Sequence, residues 1–345
     1  MHTYNSPLDL VRERSPERPV ALVRPDAVAV AARWFQDKFK GDVYYAVKAN
    51  PSPWVIRTLT ENGVTAFDVA SIPEIELVAE HAPGGRLAFM HPVKSRAAIA
   101  CAYAEHGVRT FAIDTLEELD KILEATGGAK DLNLIVRVAV EASGAAYSLA
   151  GKFGVEPRDA APLLLAARRA TQELMGVSFH VGSQCMRPSA FQAAMAQISR
   201  ALVRAGVLAD VVDVGGGFPS VYPGMIPPDL SEYLGAIERG FAEMMVHETT
   251  ELWCEPGRAL VAEGASVLTR VELKKGDALY LNDGAYGSAL ATRFNGFGES
   301  DSAVMTDAPM ASMFGLAPRS IPTPRQESAN VVKLSRARGR KRRRR

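Results

Sequence analysis

The sequence predicts an α/β fold, a closed (β/α)8 TIM-like barrel with a second, smaller β domain. Two patterns predict it. Short β-rich runs alternate with amphipathic helical stretches from about residue 43 to 256, and there are eight such runs. Alternation of strand and helix argues for a parallel sheet, and eight units close into a barrel better than they leave an open sheet. Outside this region both chain ends supply further strand-like segments, which suggests a small β domain built from the two together.

In chain order, "RPVALV" before residue 24 is the first strand-like segment, and it belongs to the β domain. The eight barrel runs follow: "DVYYAVK", "VTAFDVA", "RLAFMHP", "VRTFAID", "LNLIVRVAV", "LMGVSFHVG", "VLADVVDVGGG" and "ELWCEP". Between them, "SIPEIELVAEH", "SRAAIACAYAEHG", "TLEELDKILEATGG" and "PRDAAPLLLAARRATQEL" repeat apolar residues at helical spacing, several ending in glycine. After residue 263, "GASVLTRVEL" and "KKGDALYLND" are expected as strands joined by a turn. "GLAPRSIPTPRQESANVV" has the composition of a linker. The expected organisation is an N-terminal segment 1–23 contributing to the β domain, a barrel over 24–260, the C-terminal part of the β domain over 261–315, and a disordered basic tail over 316–345.

Composition limits the function classes. With 345 residues, 47% hydrophobic and 23% charged, the chain suits a soluble enzyme able to bury a sizeable core. No apolar stretch approaches the roughly 18 residues of a membrane span, and the first residues lack an apolar signal core, so a cytoplasmic location without membrane contact is expected. Cys101, Cys185 and Cys254 lie far apart without CxxC spacing, which suggests neither a disulfide framework nor a structural metal site. The formal charge of +1 is uneven. Nine basic and no acidic residues fall within 333–345, leaving −8 on the rest of the chain. That end is expected to be a solubilising tail whose only partners would be anionic polymers, held weakly.

The candidate functional residues share a placement. Lys48, Asp68, His91, Arg137, His180, Gly215 and Glu255 all fall at or just after the C-terminal ends of the expected strands, the rim on which barrel active sites are assembled. A lysine closing the apolar run "YYAVK" is either solvated or kept for covalent chemistry, because an amine in a partly dry pocket gives up its proton more easily. The triplet in "DVGGGFP" can curl backbone N–H groups around an anion, or simply make a tight turn. It lacks the spacing of a dinucleotide fingerprint, which disfavours a nicotinamide enzyme. In "CEPGRAL", Glu255 could hold a proton on a ring nitrogen and Arg258 could reach a phosphate as a forked donor; taken without neighbours, a surface ion pair is the preferred explanation. "FHVGSQC" offers an imidazole at His180 and a hydroxyl at Ser183.

Taken in order, "YYAVKAN", "FDVAS", "FMHPVKS", "GKFG", "FHVGSQC", "DVGGGFP" and "CEPGR" resemble the ornithine/diaminopimelate/arginine decarboxylase family of fold type III pyridoxal-phosphate enzymes, and in particular its bacterial ornithine decarboxylases. The resemblance covers residues 15 to 283. It implies a homodimer with active sites at the subunit interface and pyridoxal 5'-phosphate as cofactor. It further implies that Lys48 joins the cofactor's aldehyde, that Asp68 sits beside that link, that Arg137 lies near the cofactor, and that His180 stacks on its ring. Ser183, Gly215, Gly216, Gly217 and Arg258 would hold the phosphate, and Glu255 would pair with the pyridine nitrogen. The implied catalytic set is Lys48, Asp68, His180 and Glu255. The implied reaction is decarboxylation of L-ornithine to putrescine in polyamine biosynthesis.

The last third departs from the family pattern. In "LNDGAYGSALATRFNGF", residues 281–297, a first tyrosine motif looks joined directly to a second, with several dozen family residues absent between them. Tyr286 matches the later, phosphate-binding tyrosine, judged by the "RFNGF" that follows. The family's Cys-Asp motif, which is donated across the dimer interface and assists reprotonation and grips the distal amine, has no counterpart, since Cys254 is the last cysteine. The β domain is therefore expected to be truncated by an internal deletion, and cofactor binding to survive better than turnover. Lysine or diaminopimelate decarboxylation is the alternative within the class; a non-catalytic cofactor-binding homologue or regulatory dimer partner is the alternative outside it.

Overall fold

The computed structural model describes residues 4, 6–141, 144–147, 151–222, 225–276, 278–283 and 331–333. Eight strands form the closed barrel. They are β1 (Asp42–Ala46), β2 (Ala66–Val69), β3 (Arg86–Phe89), β4 (Thr110–Ile113), β5 (Asn133–Arg137), β6 (Met175–Ser178), β7 (Val211–Asp213) and β8 (Glu251–Cys254). Every neighbouring pair is parallel, and β8 closes on β1 through Trp253 opposite Asp42 and Cys254 opposite Val43. Each strand follows a helix: α1 (Pro25–Lys38), α2 (Pro53–Glu61), α3 (Ile72–His81), α4 (Arg96–Ala104), α5 (Leu116–Ala125), α6 (Ala160–Ala170), α7 (Ser189–Ala205) and α8 (Leu230–Ala242). All eight expected runs and all four expected helical stretches are present.

Strand periodicity explains the layering. Successive side chains point to opposite faces of a strand. One set, Tyr44, Ala66, Ala88, Ala112, Ile135, Val211 and Trp253, fills the barrel interior as a cluster of its own. The neighbours Tyr45, Phe67, Phe89, Phe111, Leu134, Val212 and Cys254 pack outward against the helices in the main core. Three alanines in the interior make room for the two large rings, Tyr44 and Trp253, whose centroids lie 4.6 Å apart. Helix ends follow local chemistry. Thr115 caps α5 by accepting from the Glu118 N–H at 3.1 Å, Ser95 caps α4 in the same way, and α7 stops at Gly206 in the left-handed conformation.

The β domain is also built from both ends. Val20–Val23 pairs antiparallel with Ala265–Leu268, and Arg24 ties the two segments through Glu263 O, Gly264 O and Ser266 Oγ. Val271–Lys275 and Ala278–Leu281 form the expected hairpin, which Asn282 fastens to Glu17 O at 2.7 Å. One expectation is corrected here. Val331–Lys333 lies inside the stretch assigned to a disordered tail, yet it pairs antiparallel with Ala278–Leu281. Two adjacent valines suit a ladder position better than a solvated coil. The rest of 284–345, including Tyr286 and the Arg-rich end, lies outside the described residues. Among the described residues no helix is long and apolar enough to cross a membrane.

Candidate active site

Because all eight strands run the same way, their C-terminal ends open on one rim, and the expected residues gather there. β1 passes into a short 3-10 turn, Val47–Ala49, that carries Lys48. The turn is pinned by Tyr45 Oη donating to Asn50 O at 2.9 Å and by the Ala46 N–H donating to Pro256 O at 3.3 Å, so β1 and the segment after β8 hold each other. Asp68 lies in β2, Arg137 is the last residue of β5, and His91, His180 and Gly215 lie two residues past β3, β6 and β7. Glu255 directly follows β8. Lys48 Nζ donates to Asp68 Oδ2 at 2.8 Å. The lysine side chain is 36% exposed and that of Asp68 is fully buried, so the amine is reachable from the mouth while its partner is not.

The electrostatics correct one expectation. Burial pulls the Lys48 pKa down, but the charges of Asp68 and Glu255 and the Asp68 hydrogen bond outweigh it and hold the ammonium above its ordinary value. The resting amine is therefore protonated rather than primed, and it must pass a proton on before it can act as a nucleophile. Glu255 sits in the opposite condition. Burial, then the neighbouring charges of Asp213 and Asp68, push its carboxyl well above the usual range. Asp213 is likewise pushed up by burial and hydrogen-bonds the Glu255 side chain, so the two carboxyl groups share protons as a pair. His180 is driven down to about 3 by burial and by the cations Arg137 and Lys48, which keeps its ring neutral; its Nδ1 accepts from the Gly182 N–H at 2.9 Å.

The glycine triplet is shaped by close approach. Gly215, at φ +67°, lies so close to Phe179 O that a Cβ would stand 2.1 Å from it. A Cβ on Gly216 would meet Glu255 O at 2.8 Å and His180 Nε2 at 3.1 Å. The N–H groups of Gly216 and Gly217 donate to nothing among the described residues. Arg258 opens the short helix after β8; its Nη2 donates to Ser183 Oγ at 3.2 Å and its Nη1 to Tyr222 Oη at 2.7 Å. Ser183 reaches this position from a small antiparallel pair, Ala145–Tyr147 with Ser183–Cys185, that the sequence did not predict.

Three buried polar atoms among these residues have no partner: Asp68 Oδ1, Glu255 Oε1 and Arg258 Nε. Such atoms are costly unless a ligand completes them. Two faceless acceptors beside a reachable amine, and an unspent guanidinium N–H beside a glycine cradle, fit a ring with a basic nitrogen at one end and a phosphate at the other. The residues present therefore suit pyridoxal 5'-phosphate. The structure brings together Lys48, Asp68, Arg137, His180, Ser183, Gly215, Gly216, Gly217, Glu255 and Arg258; Tyr286 lies outside the described residues. His91 stands at the rim with its ring edge against Phe153 at 5.0 Å, and Arg137 lies 5.8 Å from the same ring. Four residues escaped the sequence analysis. Asp213 was signalled only by its place at the head of "DVGGG", and Glu74 by its spacing from Ser71; Glu74 accepts from the Ala70 N–H at 2.6 Å. Gln184 and Tyr222 carried no signal.

Comparisons with known proteins agree. The family profile described as pyridoxal-dependent decarboxylase, pyridoxal binding domain, matches residues 26–262. Lysine/ornithine decarboxylase of Selenomonas ruminantium is 33% identical over 256 residues, covering 72% of this chain and 63% of that protein. Ornithine decarboxylase of Panagrellus redivivus is 34% identical over 271 residues, covering 71% and 60%. The crystal structure of lysine/ornithine decarboxylase from Vibrio vulnificus complexed with cadaverine superposes with a TM-score of 0.71 at 29% identity, covering 84% of this chain and 77% of that one. The chain thus spans about three-fifths of the length of the curated relatives it matches.

Proposed function

Since the chain belongs to the pyridoxal-dependent decarboxylases, with its barrel as their pyridoxal-binding domain, we propose that it decarboxylates L-ornithine to putrescine as a homodimer. The observation that carries this reading is the reachable Lys48 amine, 2.8 Å from buried Asp68 and within the electrostatic reach of Glu255. Bound pyridoxal phosphate supplies an electron sink for the pair left behind when carbon dioxide departs. The chain's own groups would prepare and hold that site. Asp68 accepts a hydrogen bond from the Lys48 ammonium and holds it in place at the rim. The Asp213–Glu255 pair holds a proton at a buried carboxyl and would be the group to hold a proton for the cofactor's ring nitrogen. The neutral imidazole of His180 offers a flat face without a competing charge, and Arg258, Ser183 and the N–H groups of Gly216 and Gly217 offer donors to the phosphate.

The choice of ornithine rests on the relatives' names, which include lysine as well. Carbon dioxide release from ornithine, lysine and meso-diaminopimelate by the purified protein, measured with its oligomeric mass and with borohydride trapping of pyridoxyl-Lys48, tests the proposal. Turnover of ornithine in excess of the others supports it; turnover that survives Lys48→Ala overturns it. A second reading, a cofactor-binding homologue that does not turn over, draws on the missing Cys-Asp motif and would show trapping at Lys48 without carbon dioxide release.

A further inference from the structure

Arg258 is the only described guanidinium that meets both Ser183 and the loop after the glycine triplet, and what aims it is not in the motifs. Its Nη1 donates to Tyr222 Oη at 2.7 Å and its Nη2 to Ser183 Oγ at 3.2 Å, while its Nε is buried without a partner. Both hydroxyls accept from the arginine, so each keeps its own proton to donate. The guanidinium is thereby held by two oxygens whose remaining donors, with Nε–H, are unspent among the described residues. An anion is the ligand chemistry such a set fits.

The loop that carries Tyr222 is itself fastened. Gln184 grips Ser220 from both sides: its Nε2 donates to Ser220 O at 2.5 Å and its Oε1 accepts from the Ser220 N–H at 3.0 Å. This side chain is 1% exposed and its backbone sits at φ +54°, a conformation that residues other than glycine rarely adopt. A strained, buried glutamine whose amide bridges both the N–H and the C=O of Ser220 acts as a clip. Ser220 Oγ reaches Arg258 O at 3.4 Å, and Tyr222 and Met225 exchange backbone hydrogen bonds at 3.0 and 2.9 Å. Tyr222 is 4% exposed, so its ring has little freedom to swing away.

We propose that Tyr222 is a positioning residue of the phosphate subsite: its hydroxyl holds one arm of Arg258, and the Gln184–Ser220 clip holds the loop that presents it. This rests on the reading of the barrel as a pyridoxal-phosphate site. It adds a phenol, supplied by the barrel, to a subsite in which Tyr286 was the one tyrosine the sequence offered.

The test compares ligands that differ only in the phosphate. Equilibrium binding of pyridoxal 5'-phosphate and of pyridoxal is measured by absorbance on apo full-length chain, for wild type, Tyr222→Phe and Gln184→Ala, with inorganic phosphate as competitor. Tyr222→Phe keeps the ring and removes one hydrogen bond to a charged group, so pyridoxal phosphate should bind roughly tenfold more weakly. Pyridoxal should bind unchanged, and the competing effect of inorganic phosphate should fall in proportion. Gln184→Ala should show the same split. Equal losses for both ligands would assign Tyr222 a purely structural role, and no loss for either would remove it from the subsite; each overturns the proposal while leaving the barrel reading intact. A wild-type protein that binds the two ligands equally and takes no borohydride label at Lys48 would instead overturn the barrel reading itself.

Discussion

Lys48 Nζ donates to Asp68 Oδ2 at 2.8 Å, and the other oxygen of the same carboxylate, Oδ1, is buried without a partner. One carboxylate thus holds the ammonium with one oxygen, while its second oxygen is buried behind the amine and has no partner among the described residues. Lysine attached to an aldehyde must first be neutral, so this pair sets the pH at which attachment begins.

Asp68→Asn removes the largest of the influences that raise the Lys48 pKa and leaves burial, which lowers it, in command. The sign is therefore downward. At neutral pH a larger share of the amine is free, and pyridoxal phosphate should attach about tenfold faster for each pH unit by which the profile moves. Stopped-flow absorbance across pH checks this. A profile that stays in place or moves up would show that Asp68 does not govern the lysine's proton.

The barrel was legible because each strand is a short β-rich run buried on both faces, and the rim because residues such as Lys48, Arg137 and Glu255 interrupt those runs at their ends. The proton state of Lys48 was not legible. A dry pocket frees an amine unless a carboxylate lies within hydrogen-bond reach, and residues 48 and 68 meet only once β1 and β2 pair, Ala46 opposite Asp68. Asp213 was hidden for a related reason, since its partner Glu255 arrives with β8. Tyr222 and Gln184 act through a loop 36 residues from its clip, and nothing in either segment marks the pairing. Val331–Lys333 was missed because a three-residue edge strand inside Pro- and Ser-rich sequence carries too little pattern to stand out.

Gly216 separates the fold from the site. Its φ is not left-handed, so alanine is permitted by the backbone, but the added Cβ would stand 3.1 Å from His180 Nε2 and 2.8 Å from Glu255 O. Gly216→Ala must push the Glu255 backbone carbonyl aside, so it should still fold but melt below wild type, and it should bind pyridoxal phosphate at least roughly tenfold more weakly because the cradle is filled and the imidazole displaced. Gly215→Ala is the contrasting case. At φ +67° with a Cβ 2.1 Å from Phe179 O, it should cost soluble yield before any ligand is added.

Glu255 makes the apo protein weaker so that the ligand can be held. Its pKa is raised above the ordinary 4.5 by burial first, then by the charges of Asp213 and Asp68. A carboxyl raised in the fold contributes its full stability below the unfolded pKa and loses it as pH rises toward the folded value, because the native state keeps a proton that the unfolded chain has released. Glu255→Gln cannot ionise and escapes that loss. The apo variant should therefore melt above apo wild type at pH 8, with the gap narrowing toward pH 5. Ornithine turnover should fall roughly 100-fold, the scale of a lost proton-holding group. Differential scanning fluorimetry of both apo proteins across that range reads the stability arm without depending on activity. A gap that widens toward acid would mean that Glu255 is held ionised in the fold, and the buried pair with Asp213 would then have to be assigned the opposite charge.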